Sequence, residues 1–135
     1  MTYWKYRGKE VLEIPDGAVA FVYLISFSDG TKYIGKKNFY STRRIKVAGK
    51  VNRKVIVTGS DWMRYNSSST LVKKKIEDGE PFVKEILHFC RFVGAAMWLE
   101  IVEMVKRDVL CDKSYLNANI FLKIFRCYEP LEVDI

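Results

Sequence analysis

The sequence predicts an α+β domain in which helices flank a small three-stranded antiparallel sheet. The 135-residue chain has room for one hydrophobic core, and its 49% hydrophobic content is typical of a globular protein. Two apolar runs rich in β-forming residues surround an Asp-Gly pair, and a third such run follows later in the chain. A segment with helical periodicity comes after the third run. Without an internal repeat or a linker, residues 1–135 are interpreted as one domain.

The first two strands form a predicted hairpin. They are expected at about residues 19–28 and 31–36, with Asp29 and Gly30 in the turn. Next comes "NFYSTRRIKV", which is expected to open a short helix capped by Asn38 or Ser41. A basic insert then follows the first helix and is interpreted as a second hairpin or a long loop.

The second half of the chain alternates helix and strand. Gly79 ends a short helix that a serine caps. The third strand is expected from Phe82 to Arg91, and the clearest helix follows in "VGAAMWLEIVEMVKRDVL". The segment "CDKSYLNANIFLKIFRCY" is predicted to begin as a polar loop and end as an apolar helical or irregular segment, before a loose tail.

Charge and cysteine content limit the function classes. The net charge of +7 favours polyanionic partners, with nucleic acid first. The N-terminus lacks an apolar signal segment and no run of 18 apolar residues exists, so we expect no membrane partner. Three widely spaced cysteines, Cys90, Cys111 and Cys127, predict reduced, buried thiols and a cytoplasmic location. A single histidine, His88, does not complete a zinc site.

Two short motifs in the hairpin resemble a known signature. "FVY" at 21–23 and "YIG" at 33–35 are similar to the paired signature of the GIY-YIG nucleases. The family's later arginine, glutamate and asparagine have counterparts here in Arg43, Glu100 and Asn117. The resemblance covers about residues 18–120 and is nearest to small phage-encoded, free-standing members of the homing type. Phe21 stands where the family has glycine, and Val47 stands where many members have histidine.

The resemblance implies a DNA endonuclease that hydrolyses phosphodiester bonds with Mg²⁺ or Mn²⁺. Glu100 would hold the metal ion and Arg43 would donate charged hydrogen bonds to phosphate. Tyr23 would be the general base, for which it needs a nearby cation, since a free phenol has a pKa near 10. Tyr33 would bond the phosphate or the water, and Asn117 would hold the geometry of the glutamate or of a phosphate.

Several residues rival these assignments. Glu103 rivals Glu100, Arg44 rivals Arg43, and Asn119 rivals Asn117. We interpret His88 as structural, and we assign both Trp62 and Trp98 to the core, although Trp62 lies in a polar loop that could face DNA.

Two basic clusters flank the expected site and predict a groove that follows phosphates. The residues expected to contact DNA are Lys36, Lys37, Arg44, Lys46, Lys50, Arg53, Lys54, Arg64, Lys73 and Lys74. A long target would require a homodimer, since no separate DNA-reading domain is evident. The alternatives are a non-catalytic nucleic-acid-binding module and a protein that acts only on other proteins.

Overall fold

The computed structural model describes residues 2–49, 54–120 and 124–125. They form an α+β domain, as predicted, with two helices and three sheets. The elements in chain order are β1 (Trp4–Tyr6), β2 (Lys9–Glu10), β3 (Ala20–Phe27), β4 (Lys32–Asn38), β5 (Tyr40–Ile45), β6 (Lys54–Gly59), α1 (Thr70–Glu77), β7 (Phe82–Cys90), α2 (Val93–Lys106), β8 (Asn119–Ile120) and β9 (Ile124–Phe125).

The main sheet has five strands in the order β2-β1-β7-β3-β4. Strands β4, β3 and β7 are antiparallel, but β1 runs parallel to β7, so the sheet is mixed. The predicted three-stranded antiparallel sheet was therefore too small. The missing strands are only two and three residues long, and so short a strand shows no alternating pattern in the sequence.

The predicted hairpin forms as β3 and β4. Its register pairs Tyr23 with Gly35 and Ile25 with Tyr33. Side chains on a strand alternate between faces, so Tyr23 and Tyr33 lie on the same face of the sheet. Gly30 in the turn has φ +92°, a left-handed conformation that glycine adopts without strain.

The alternation of β3 divides the core into two layers. Ala20, Val22 and Leu24 pack with Ala96 and Met104 of α2. The opposite face of β3 packs with the N-terminal strand, α1 and the loop before α1. Its buried aromatic members are Trp4, Phe21, Tyr23, Phe27, Phe39 and Trp62. Phe21 lies in this layer, with its ring centroid 5.0 Å from that of Trp4 and 4.8 Å from that of Phe39.

The short helix predicted after the hairpin does not exist. Residues 40–45 form β5, which pairs with β6 in a two-stranded antiparallel ribbon. Asn38 ends β4 and Ser41 lies within β5, so neither residue caps a helix. The backbone groups of β5 form hydrogen bonds with those of β6, a segment later in the chain. Helix-capping residues are a local signal and do not show such a pairing.

Other elements lie close to their predicted positions. Ser69 caps α1 by accepting a hydrogen bond from the Val72 amide, and the third strand ends one residue early, at Cys90. The segment expected to become helical or irregular instead pairs β8 with β9. Trp62 is buried, but Trp98 is 65% exposed on α2, which contradicts its assignment to the core. Cys90 is buried as expected, whereas Cys111 is exposed, and Cys127 lies outside the described residues.

Candidate active site

Three tyrosines meet beside the edge strand β4. The ring centroids of Tyr23 and Tyr33 are 6.3 Å apart, and the ring of Tyr65 lies edge-on to Tyr23 at 6.1 Å. Tyr23 is almost completely buried, while Tyr33 is only partly buried. The two tyrosines of the signature therefore come together, and Tyr33 is the one open to a substrate.

Gly35 allows the Tyr23 side chain to reach this edge. A Cβ atom at Gly35 would lie 2.5 Å from Cζ of Tyr23 and nearer still to its hydroxyl oxygen. Any larger residue would therefore displace the phenol. Gly35, the last residue of the "YIG" motif, therefore makes room for the phenol of Tyr23 because it has no side chain.

Burial raises the pKa of both phenols. The pKa of Tyr23 lies well above its ordinary value because the ring is desolvated and Tyr65 is close, while hydrogen bonding to the Ser67 hydroxyl acts in the opposite direction. The pKa of Tyr33 is raised first by burial and then by the Glu100 carboxylate, and Ser67 again opposes the shift. Ser67 is buried, has φ +80° and interacts with both phenols. Both tyrosines are therefore protonated at neutral pH unless a cation approaches them.

Glu100 projects from α2 toward this cluster. Its pKa is raised by burial, and the Lys36 ammonium acts to lower it. Among the described residues, no hydrogen bond or ion pair engages the Glu100 carboxylate. A partly buried carboxylate with free oxygens and a cation nearby can bind a metal ion or orient a water molecule.

The rival carboxylate, Glu103, is already bonded. Its Oε1 lies 2.9 Å from Nε2 of His88 and its Oε2 accepts from Nε of Arg107 at 3.0 Å. Burial raises the pKa of Glu103, but the bonds to His88 and Arg107 outweigh burial, so its pKa lies below the ordinary value. Glu103 and His88 therefore join α2 to β7, which agrees with the structural interpretation of His88.

Asn117 holds the backbone of the edge strand. Its Nδ2 donates to the Ile34 carbonyl at 2.8 Å, and its Oδ1 accepts from the Ile34 amide at 3.1 Å. Ile34 lies between Tyr33 and Gly35, so this pair of bonds fixes the strand that carries the site. These bonds give Asn117 a role in holding β4, and its predicted role toward the glutamate or a phosphate stays a prediction. Its rival Asn119 lies in β8.

Arg43 is not brought to the tyrosines. It lies on β5, opposite Ile56, and its side chain is exposed. Within the described part of the chain, the interactions that connect Tyr23, Tyr33 and Glu100 do not include Arg43. The expected position on a first helix was therefore wrong, since the ribbon takes the place of that helix. Val47, at the position where many family members have histidine, follows the end of β5 and is partly buried.

The loop between β6 and α1 brings Asp61, Tyr65 and Ser67 to the site, and none of these three was among the residues predicted from the sequence. Lys37 forms an ion pair with Asp61 at 2.8 Å, and its ammonium lies 4.2 Å from the ring centroid of Tyr65. Lys84, buried on β7, donates to the Tyr65 carbonyl at 3.0 Å, and desolvation lowers its pKa to about 8. This loop mixes serine, aromatic and charged residues in no regular order, so its sequence shows neither helical nor strand periodicity. The only hint was the concentration of aromatic residues in "SDWMRYNSSS".

The predicted DNA contacts occupy three regions. Lys36 and Lys37 line a cleft of about 820 Å³ between the ribbon and the start of α2, together with Arg91. Arg64 and Lys73 line a second cleft of about 370 Å³ beside the tyrosines, and Lys74 is exposed on α1. Arg44 and Lys46 are exposed on the ribbon arm. Lys50, Arg53 and the side chain of Lys54 lie outside the described part of the structure.

The donor set allows one kind of metal site. Within residues 2–49, 54–120 and 124–125, no three His, Cys, Asp or Glu side chains cluster to hold an ion. Glu100 could therefore act as a single carboxylate ligand, with water and phosphate oxygens completing the shell. This arrangement suits Mg²⁺, which keeps several water ligands in protein sites.

Comparisons with known proteins identify the family. Residues 4–120 match a family model described as "Putative endonuclease segE, GIY-YIG domain". The match spans most of the chain, so the chain belongs to this GIY-YIG family, which agrees with the resemblance seen in the two motifs.

One curated relative supports the same assignment. The chain is 39% identical over 75 residues to "Intron-associated endonuclease 2" of Enterobacteria phage T4. The matched part is 56% of this chain and 23% of the relative, so the chain spans less than a quarter of that protein. No solved structure matches the chain. No helix among the described residues is long and apolar enough to cross a membrane.

Proposed function

We propose that this chain is a metal-dependent endonuclease that hydrolyses phosphodiester bonds in DNA. The observation that carries the proposal is the pairing of the two signature tyrosines, with ring centroids 6.3 Å apart, beside the partly buried carboxylate of Glu100, which is close enough to Tyr33 to raise the pKa of its phenol. Membership of a GIY-YIG endonuclease family and the similarity to a phage endonuclease support it. Free cysteines are consistent with action in the cytoplasm.

Each site residue has a proposed role that fits its surroundings. Tyr33, the less buried phenol, contacts the attacking water or the phosphate. Tyr23 behind it can accept a proton only as a phenolate, so its role as general base requires a cation close enough to oppose the effect of burial on its pKa. A divalent ion such as Mg²⁺ or Mn²⁺, held by Glu100, would stabilise negative charge on the scissile phosphate. Lys36 adds positive charge beside Glu100, and Ser67 holds the two phenols in place. Arg43 is assigned to phosphates outside this centre, because its side chain is exposed on the ribbon.

A plasmid assay tests the proposal. Supercoiled plasmid incubated with the chain and Mg²⁺ or Mn²⁺ should become nicked or linear, and EDTA should stop the reaction. Glu100→Ala should leave the plasmid supercoiled while the protein still binds DNA. Plasmid that stays intact with the wild-type chain under both metals, or cleavage that continues in EDTA, would contradict the proposal.

One observation favours a rival function. The arginine that the resemblance assigns to the site lies on the exposed ribbon, as expected if the chain only binds nucleic acid. A binding module would retain its affinity in EDTA and would never convert the plasmid. The same assay therefore separates the two functions.

A further inference from the structure

The ribbon of β5 and β6 stands apart from the rest of the domain. The two strands pair with each other through six residue pairs, from Tyr40 with Gly59 to Ile45 with Lys54, and belong to neither of the other sheets. A two-stranded ribbon is marginal by itself in water. Here its base is fixed, because the Ser60 amide donates to the Phe39 carbonyl at 2.8 Å and the Ser60 hydroxyl donates to the Asn38 carbonyl at 2.7 Å.

The ribbon segment carries almost all of the net positive charge. Residues 40–60 contain six of the 23 Lys and Arg residues and none of the 16 Asp and Glu residues. The rest of the chain then has 17 basic residues against 16 acidic ones and is nearly neutral. A basic arm on a neutral body indicates a local polyanion contact.

The two faces of the ribbon differ in their orientation. Tyr40, Thr42 and Val57 lie on one face and line the cleft shared with Lys36, Lys37 and Arg91. Ser41, near the base of the ribbon, also lines this cleft, although strand alternation assigns it to the other face. Arg44 and Val55 belong to this same face by strand alternation and register. Val57 is 62% exposed and Val55 is 52% exposed, so this face presents apolar side chains to solvent next to Arg44. Arg43 lies on the opposite face.

We infer that the cleft-facing side of this ribbon enters the major groove of duplex DNA and reads base edges there. The major groove admits a two-stranded ribbon, arginine bonds guanine edges in it, and exposed apolar groups contact thymine methyls. Lys36, Lys37 and Arg91, across the cleft, would contact the phosphates beside that groove. The inference rests on the proposed function for the biological role of the DNA, but the binding it describes does not depend on cleavage.

The test compares two adjacent arginines that differ only in the face they occupy. Wild type, Arg44→Gln and Arg43→Gln are each used to select sequences from a randomised DNA duplex library in EDTA. We expect wild type and Arg43→Gln to recover the same sequences. Arg44→Gln should lose roughly tenfold or more in affinity for them and lose the preference at one or two positions. Both variants should reduce the salt dependence of binding, by about one phosphate contact for Arg43→Gln.

Further measurements assign the groove and the kind of partner. Methylation of guanine N7, an atom of the major groove, should block wild-type binding more than Arg44→Gln binding. Equal losses of preference for the two variants, or no sequence preference in wild type, would overturn the inference. Equal affinity for single strands, RNA or anionic vesicles would also overturn it. If the chain binds duplex DNA selectively but never cleaves plasmid, the proposed function is contradicted and the inference about the ribbon is still supported.

Discussion

The tyrosine cluster and the β5–β6 ribbon represent opposite ways of building a functional surface. The cluster is buried, and several contacts hold Tyr23 in one position. Its ring packs against those of Trp4, Phe21 and Tyr65, and its hydroxyl lies against the backbone of Gly35. The described side chains of the ribbon are mostly exposed, and the ribbon is attached to the body at its base. Chemistry requires fixed positions, whereas a groove contact requires reach and charge. Substitutions in the cluster should therefore lower the cleavage rate and the stability strongly, whereas substitutions in the ribbon should change both only slightly.

Removal of the phenolic hydroxyls should have the largest effect. We expect Tyr23→Phe and Tyr33→Phe to lower the cleavage rate at saturating DNA by about 10²–10⁴-fold, as for the loss of a general acid or base. Affinity for DNA should change little, because most of it comes from the basic residues. Rapid-quench measurement of plasmid or duplex cleavage checks both variants, with Tyr3→Phe as the control. Full activity in both variants would show that the phenols only fill space.

Substitution of Gly35 should destabilise the fold, because any side chain there overlaps with Tyr23. Gly35→Ala places a Cβ atom 2.5 Å from Cζ of Tyr23, so we expect a loss of about 1–3 kcal/mol in the free energy of unfolding. Gly59→Ala in the ribbon is the matched control, because a Cβ at Gly59 meets no atom within 4 Å. Urea unfolding of the two variants measures the difference. Equal stability would mean that the close contact between Tyr23 and Gly35 does not exist.

Glu103 should contribute stability that depends on pH. Its folded-state pKa is depressed, so its bonds to His88 and Arg107 stabilise the fold above the ordinary carboxyl pKa and are lost as the pH falls through the lower, folded value. Glu103→Gln should cost about 1–3 kcal/mol at pH 7, and the difference from wild type should shrink in acid. Chemical unfolding at a series of pH values gives this comparison. A difference that stays constant down to strongly acidic pH would contradict the assignment.

The sequence predicted the cluster better than the ribbon for physical reasons. Tyr33 follows Tyr23 by ten positions around a tight Asp-Gly turn, and strand alternation then places both on one face. Their register depends on local turn geometry, which the sequence encodes. Helical periodicity predicts α2, but the choice of Glu100 came from the family resemblance, because Glu103 lies almost on the same face of the helix.

The remaining parts depend on contacts between distant segments. Trp4 pairs with Lys84, and Asn117 bonds the backbone of Ile34, across separations that no local pattern records. The stretch around Arg43 has the polar content of a helix start, yet it pairs with β6. Tyr65 and Ser67 reach the site because the buried Lys84 ammonium holds their loop by the Tyr65 carbonyl. Such positions become visible only when the tertiary structure is known.

The central claim is that Glu100, and not Glu103, serves the reaction together with the two phenols. Single-turnover cleavage by Glu100→Gln and Glu103→Gln, both shown to be folded, tests it most directly, because the two residues lie three positions apart on one helix. The account predicts that Glu100→Gln loses roughly 10²–10³-fold in rate with unchanged DNA affinity. Glu103→Gln should stay within a few-fold of wild type. Equal losses in the two variants, or a greater loss in Glu103→Gln, would contradict it.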